Sequence, residues 1–118
     1  MNPRPTTIAS SDDIVEKAEP DLMCFRIHKY SGSRVLACCD IDILGRKLDS
    51  GDISISISPN FYGEDTAPIS SIAQLMIGVN SLNVIGDKVI AHLKKEKIIS
   101  TETISVIDGV QHVQIYLV

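Results

Sequence analysis

Three side chains of this sequence belong to types that can catalyse a reaction together: a thiol, a carboxylate and an imidazole. Cys39 and Asp40 are adjacent, and His112 lies near the end of the chain. A cysteine that a histidine activates is a nucleophile, so one hypothesis is a small enzyme that uses Cys39, Asp40 and His112. The spacing does not bring His112 near Cys39, and burial in a hydrophobic core is the commoner role of a free cysteine.

The cysteines and acidic residues offer no recognisable metal-binding pattern. Cys38 and Cys39 are neighbours, and neighbours on a strand point to opposite faces, so we expect one thiol in the core and the other half-exposed. The remaining cysteine and the three histidines lack zinc-ligand spacing. The aspartates between residues 40 and 52 do not follow the calcium-loop pattern. We therefore predict no metal and no cofactor.

A second group of residues is typical of recognition rather than catalysis. Phe61, Tyr62 and Gly63 follow a predicted strand, where they either fold back on the core or form a recognition loop. The adjacent cations Arg46 and Lys47 are further candidates. So is the turn from Asn83 to Gly86, which enters a predicted helix whose free N–H groups can hold an anion. The predicted binding residues are Phe61, Tyr62, Gly63, Arg46, Lys47, Asn83, Gly86 and His112.

Composition limits the class of partner. The 118 residues carry a formal net charge of −4, which argues against a broad phosphate-binding surface and leaves room for a local basic patch. We therefore expect either a protein partner or a localised RNA site formed by Arg26, Lys29, Arg34, Arg46 and Lys47. No apolar run approaches the ~20 residues of a membrane span, and the start of the chain does not resemble a signal peptide. The sequence predicts a cytoplasmic protein with reduced thiols and no membrane contact.

The elements that position these residues are predicted from periodicity. Residues 1–21 are rich in Pro, Ser, Thr and Asp and are expected to form a flexible extension, followed by a single domain over 22–118. Alternation over 23–28 and 34–39 predicts a hairpin, and the isoleucines of 53–57 predict a third strand. Between them, residues 40–45 resemble one helical turn capped by Asp40.

Two helices and a closing hairpin complete the prediction. Ser71 and Gln74 have capping-box spacing, and an apolar stripe runs from Ile72 to Val79. A second helix is expected from Gly86 to about residue 97. The final residues, 104–118, alternate around an Asp-Gly pair, which is typical of a tight hairpin.

The predicted fold class is α+β. It is a two-layer α-β sandwich with about five strands in a mostly antiparallel or mixed sheet and two main helices on one face. The helix residues expected in the core are Ile72, Leu75, Met76, Val79, Val89, Ile90 and Leu93. The strand residues expected to pack against them are Phe25, Ile27, Ile55, Ile57, Val113 and Ile115.

An ordered set of short motifs resembles the archaeal family called domain of unknown function 424. The motifs are Ala37-x-Cys39-Asp40, Leu44-Gly45-Arg46-Lys47, Phe61-Tyr62-Gly63, Asn83-Val84-Ile85-Gly86 and the segment 109–115. The resemblance spans roughly 23–118 and implies a compact two-layer sandwich in an archaeal protein, with no activity to carry over. This chain departs from the pattern at Gln111, where proline is expected, and in its amino-terminal extension.

Taken with this archaeal setting, the residues favour a non-enzymatic binding module. We expect it to work with RNA-processing or translation machinery, and the thiol enzyme is the alternative. The two hypotheses differ in one geometric respect. The enzyme requires Cys39, Asp40 and His112 to converge on one concave site near the Phe61-Tyr62-Gly63 loop.

Overall fold

A computed structural model describes residues 20–117, which form eight strands in two sheets and three α-helices. The predicted extension, residues 1–21, lies almost entirely outside the described residues. The strands are β1 Leu22–Tyr30, β2 Ser33–Asp40, β3 Lys47–Ser50, β4 Ile53–Ser56, β5 Asp65–Pro68, β6 Ser81–Ile85, β7 Ile104–Ile107 and β8 Val110–Tyr116. The helices are α1 Pro59–Tyr62, α2 Ile72–Leu75 and α3 Asp87–Lys95. Short 3₁₀ turns cover Ile41–Ile43, Ile69–Ser71 and Thr101–Thr103.

The main sheet has six strands in the order β5-β1-β2-β6-β8-β7. β2 and β6 run parallel to each other, and every other neighbouring pair in this sheet is antiparallel. Asp108 and Gly109, with φ values of 50° and 78°, form the tight turn between β7 and β8. Positive φ at both central residues is what a two-residue hairpin with right-handed strand twist requires. The closing hairpin is therefore confirmed.

The main sheet is covered on both faces. One face, here called the helix face, packs against α2 and α3 in a core that contains Cys38, Val84 and Leu93. The other face, here called the hairpin face, packs at one end against the small β3–β4 sheet in a core that contains Cys39 and Leu48. The domain therefore has a third, partial layer that the predicted two-layer sandwich lacks.

The two adjacent cysteines point to opposite faces, as strand geometry requires. The expectation that one of them is half-exposed is wrong, since Cys38 and Cys39 are both 0% exposed. The cause is the third layer, because the β3–β4 sheet buries the face that alternation alone would leave open.

The α+β class and the mixed sheet are confirmed, whereas the arrangement of two main helices is not. α3 agrees with the prediction, but α2 is a single turn of four residues. The Ser71 hydroxyl does not cap it, because its Oγ donates to the carbonyl of Pro68 at 2.7 Å. The chain then turns at Gly78, where φ is 78°. Ile72 and Val79 still lie in the helix-face core, so the apolar stripe marks burial correctly without a long helix.

Ile55 and Ile57 were expected to pack against the helices, and this expectation is wrong. Both lie in the core of the hairpin face, beside Cys39. β4 pairs with β3 in a separate sheet instead of joining the main one. Alternation identified the apolar side of β4, but not the surface on which that side packs.

Candidate functional site

Part of the hairpin face lies beyond the β3–β4 sheet and remains open. It forms a concave site of about 310 Å³, here called the open groove. Val35, Ser81 and Tyr116 are register partners across β2, β6 and β8, which places them in one row of the sheet. Phe61 from α1 also lines the groove. Small floor residues between two large aromatic side chains give the groove its concave shape.

Phe61 forms the wall of the groove on the α1 side, and it is the first ring of a stack that continues behind it. Phe61 stacks on His28 with ring centroids 4.8 Å apart and planes inclined by 20°. Tyr30 continues the stack, 6.0 Å from His28. The opposite wall is Tyr116, whose side chain is 83% exposed. Flat, exposed π-faces of this kind can accept a second planar ring by stacking.

α1 is a single turn, yet several contacts fix its position. The Ser58 hydroxyl accepts a hydrogen bond from the N–H of Asn60 at 3.1 Å, and Pro59 occupies the first helical position. Gly63 ends the turn with φ of 88° directly against β1, where a Cβ atom would lie 2.0 Å from the carbonyl oxygen of Phe25. Only glycine permits this approach. The Phe61-Tyr62-Gly63 segment is thus folded back on the sheet while Phe61 faces the groove.

A polar centre lies next to the groove at Asn83 on β6. The Tyr62 hydroxyl donates to Asn83 Oδ1 at 2.9 Å, and His112 Nε2 lies 3.2 Å from the same oxygen. Burial lowers the pKa of His112 and raises the pKa of the Tyr62 hydroxyl. Both side chains are therefore neutral at neutral pH, and the centre is a hydrogen-bonding group rather than an ionised one.

Positive charge adjoins one end of the groove. Lys29 and Arg34 line a neighbouring depression of about 330 Å³ that shares Ser33 and Asn80 with the groove. Neither lining contains a carboxylate. The acidic side chains that border depressions lie elsewhere, around Pro20 and α1. An acidic protein thus has a local surface where a negatively charged chain meets cations and no anions.

The helix that was expected to offer free N–H groups is capped by the chain itself. The Asp40 carboxylate accepts hydrogen bonds from the N–H groups of Lys88 and Val89, both at 2.9 Å. Asp40 does not cap the 3₁₀ turn that follows it. A Cβ atom at Gly86 would lie 2.4 Å from Asp40 Cγ. Gly86 therefore makes room for this cap, and the carboxylate occupies the position that an external anion would take.

The three residues of the thiol hypothesis do not converge. Cys39 is fully buried on the hairpin face, in the same core as Cys24. Burial raises the pKa of Cys39 well above its ordinary value, which opposes formation of a reactive thiolate. Asp40 caps α3, and His112 is hydrogen-bonded to Asn83. None of the described cavities is lined by any of the three side chains.

Other predicted site residues lie apart from the groove. Arg46 and Lys47 are exposed at the start of β3 and line none of the described cavities. Within residues 20–117, no group of three or more His, Cys, Asp and Glu side chains is arranged to hold a metal ion. No helix in the described part of the chain is long and apolar enough to cross a membrane.

Eight groove residues were missed by sequence reasoning, and they include Asn80, Ser81, Gln114 and Tyr116. A signal existed for two of them. Once Val113 and Ile115 face the core, alternation directs Gln114 and Tyr116 to the opposite face. No such signal existed for residues 80 and 81, because β6 is short and reads as a turn before a helix.

Comparison with known proteins places this fold in a family. Residues 28–118 match the family described as "Protein of unknown function (DUF424)". A crystal structure of an uncharacterized conserved protein from Methanopyrus kandleri has a similar fold, with a TM-score of 0.68 and 24% sequence identity. The similarity covers 80% of this chain and 90% of that one. No curated protein matches the chain. Because the family match spans most of the sequence, the chain belongs to the DUF424 family.

Proposed function

We propose that this protein is a non-enzymatic binding module whose open groove holds a single-stranded segment of RNA. The observation that carries the proposal is the groove itself, an aromatic-walled site of about 310 Å³ on the face of a sheet. Pockets for small ligands begin at roughly this volume. The groove therefore has room for one base or nucleoside and not for a folded partner.

The side chains around the groove match the chemistry of an RNA strand. Single-stranded RNA is recognised by stacking unpaired bases on aromatic rings and by hydrogen bonds to their edges. Phe61 and Tyr116 supply the rings, and Asn83 and Gln114 supply amides. Lys29 and Arg34 in the adjoining depression suit the phosphates that flank a bound base.

Charge favours RNA over a protein segment as the occupant. The depressions that contain carboxylates, which would suit a basic peptide, lie around Pro20 and on the other side of α1, and they share no lining residue with the groove. A short basic end on an otherwise acidic protein fits a localised RNA site better than extended wrapping of nucleic acid. The archaeal origin of the structural neighbour agrees with a place in archaeal RNA-processing or translation machinery. That place, and a cytoplasmic location, stay predictions.

Binding of a labelled single-stranded RNA oligonucleotide to the full chain, followed by fluorescence anisotropy, tests the proposal. Replacing Tyr116 with alanine removes one stacking surface and is expected to weaken binding by about 1–3 kcal/mol. Ile77→Ala is the matched control, because Ile77 is 80% exposed and lines none of the described cavities. It should bind as the unaltered protein does.

Charge reversal then locates the site. Changing Lys29 and Arg34 to glutamate should abolish binding and its dependence on salt. Arg46 and Lys47 belong to the same predicted basic set but lie apart from the groove, so the variant in which both are changed to glutamate provides the comparison. If only the second double variant loses RNA, the site lies on the small sheet and the groove proposal is wrong. Absence of RNA binding by the unaltered protein would also overturn it, in favour of a protein partner.

A further inference from the structure

Asn83 is held so that one of its two polar groups is already occupied. Its Oδ1 faces the Tyr62 hydroxyl at 2.9 Å and His112 Nε2 at 3.2 Å. Tyr62 is 5% exposed, and its hydroxyl is the only donor that its side chain has. An amide oxygen can only accept, so the contact with His112 assigns the single N–H group of the neutral imidazole to Nε2. Two donors from two different elements therefore fix the orientation of the amide.

This arrangement leaves Asn83 with a single kind of hydrogen-bonding group for a ligand. An asparagine amide has one acceptor oxygen, with two lone pairs, and one NH₂ donor group. Both acceptor positions of Oδ1 are used within the protein. Asn83 also lines the open groove, so the group that it presents there is the Nδ2 donor. An unconstrained asparagine can pair with either a donor or an acceptor of a ligand, whereas Asn83 can pair only with an acceptor.

We infer that Asn83 makes the groove selective for a pyrimidine with an acceptor at ring position 4, so that uracil binds in preference to cytosine. This inference rests on the proposed function. The two pyrimidines have the same size and stack alike, but uracil carries an acceptor, O4, where cytosine carries the N4 amino donor. A donor that faces Asn83 Nδ2 leaves two polar groups unpaired. The cost of such a mismatch corresponds to about a tenfold loss of affinity.

The test compares fluorescein-labelled oligouridine and oligocytidine of equal length by anisotropy, using the full chain. The unaltered protein should bind oligouridine about tenfold more tightly. In Asn83→Asp, the carboxylate still accepts from Tyr62 and His112 but presents an acceptor to the groove. The preference should then shift toward oligocytidine, even where the added negative charge weakens both ligands.

Two further variants distinguish the effect of the Asn83 donor from the effects of added charge and of altered folding. Ser33→Asp adds the same charge at the edge of the groove on an exposed residue, so it should weaken both oligonucleotides and leave their ratio nearly unchanged. Tyr62→Phe removes one of the two donors that hold Asn83 and keeps the ring in the core. It should reduce the uridine preference, and a purely structural role of Tyr62 would not alter that ratio.

The possible outcomes distinguish this inference from the proposal on which it rests. Equal binding of both oligonucleotides by the unaltered protein would overturn the inference and leave RNA binding in place. A uridine preference that persists unchanged in both Asn83→Asp and Tyr62→Phe would assign selectivity to another residue and would also overturn it. If neither oligonucleotide binds, the RNA-binding function and the inference fail together.

Discussion

The two faces of the main sheet use the same strands for different purposes. On the helix face, α2 and α3 cover a continuous core in which Leu36, Val84, Ile90 and Leu93 are completely buried. On the hairpin face, the β3–β4 sheet covers only one end of the strands, and the other end carries the open groove. A single strand such as β6 therefore alternates between residues that seal a core and residues that face a cavity.

This difference indicates where stability and function are separable. The residues of the helix face are packed by neighbours on every side, so a change in side-chain volume there directly lowers the free energy of unfolding. Tyr116 on the open part of the hairpin face has few neighbours to lose, since 83% of it is exposed. An exposed aromatic side chain that contributes little to folding is available for binding.

The largest expected effect follows from opening the helix-face core. Leu93 on α3 is 0% exposed, and Leu93→Ala should lower the free energy of unfolding by ~2–5 kcal/mol through lost burial and a residual cavity. Tyr116→Ala is the control on the open face and should change stability by less than ~0.5 kcal/mol. Urea denaturation followed by circular dichroism measures both. Equal losses in the two variants would contradict the distinction between the faces.

A smaller loss of stability is expected from the contact between Asp40, at the end of β2, and the start of α3. Asp40→Ala removes the acceptor for the N–H groups of Lys88 and Val89, and loss of such a cap costs ~0.5–2 kcal/mol. Asp42 is the matched control. It is exposed and lies 4.0 Å from the Lys88 amine as part of a surface ion pair. Asp42→Ala should therefore cost less than ~1 kcal/mol in the same denaturation experiment. An Asp40 variant as stable as the Asp42 variant would show that the cap does not stabilise α3.

The smallest effect concerns His112, at the boundary between the covered and open parts of the hairpin face. Burial lowers its pKa below the ordinary value of 6.5, so the unfolded chain takes up a proton at a higher pH than the folded chain does. The free energy of unfolding should therefore fall as the pH drops below 6.5, and this loss should end once the pH is below the folded pKa.

Denaturation at a series of pH values, compared between the unaltered protein and His112→Gln, isolates this contribution. Glutamine can still donate to Asn83 but does not titrate in this range. The difference in stability between the two proteins should change with pH in the direction given above. A difference that is independent of pH would show that His112 is as readily protonated in the folded protein as in the unfolded chain.

The sequence by itself determined the local features of this protein. The Asp108-Gly109 turn, the opposite directions of Cys38 and Cys39, and α3 all depend on residues within a few positions of one another. Turn conformation, strand alternation and helical periodicity are short-range properties, so they can be read without knowledge of the rest of the chain. The apolar stripe from Ile72 to Val79 likewise identified residues of the core.

Only the tertiary structure decided how these pieces combine into a site. β6 is a central strand because β2 and β8 supply its hydrogen-bond partners, and both are distant in sequence. Asp40 caps a helix that begins 47 positions further along the chain than residue 40. The open groove likewise exists because the β3–β4 sheet covers one end of a face and not the other. Such contacts depend on long-range packing, which overrides the local preferences that a sequence displays.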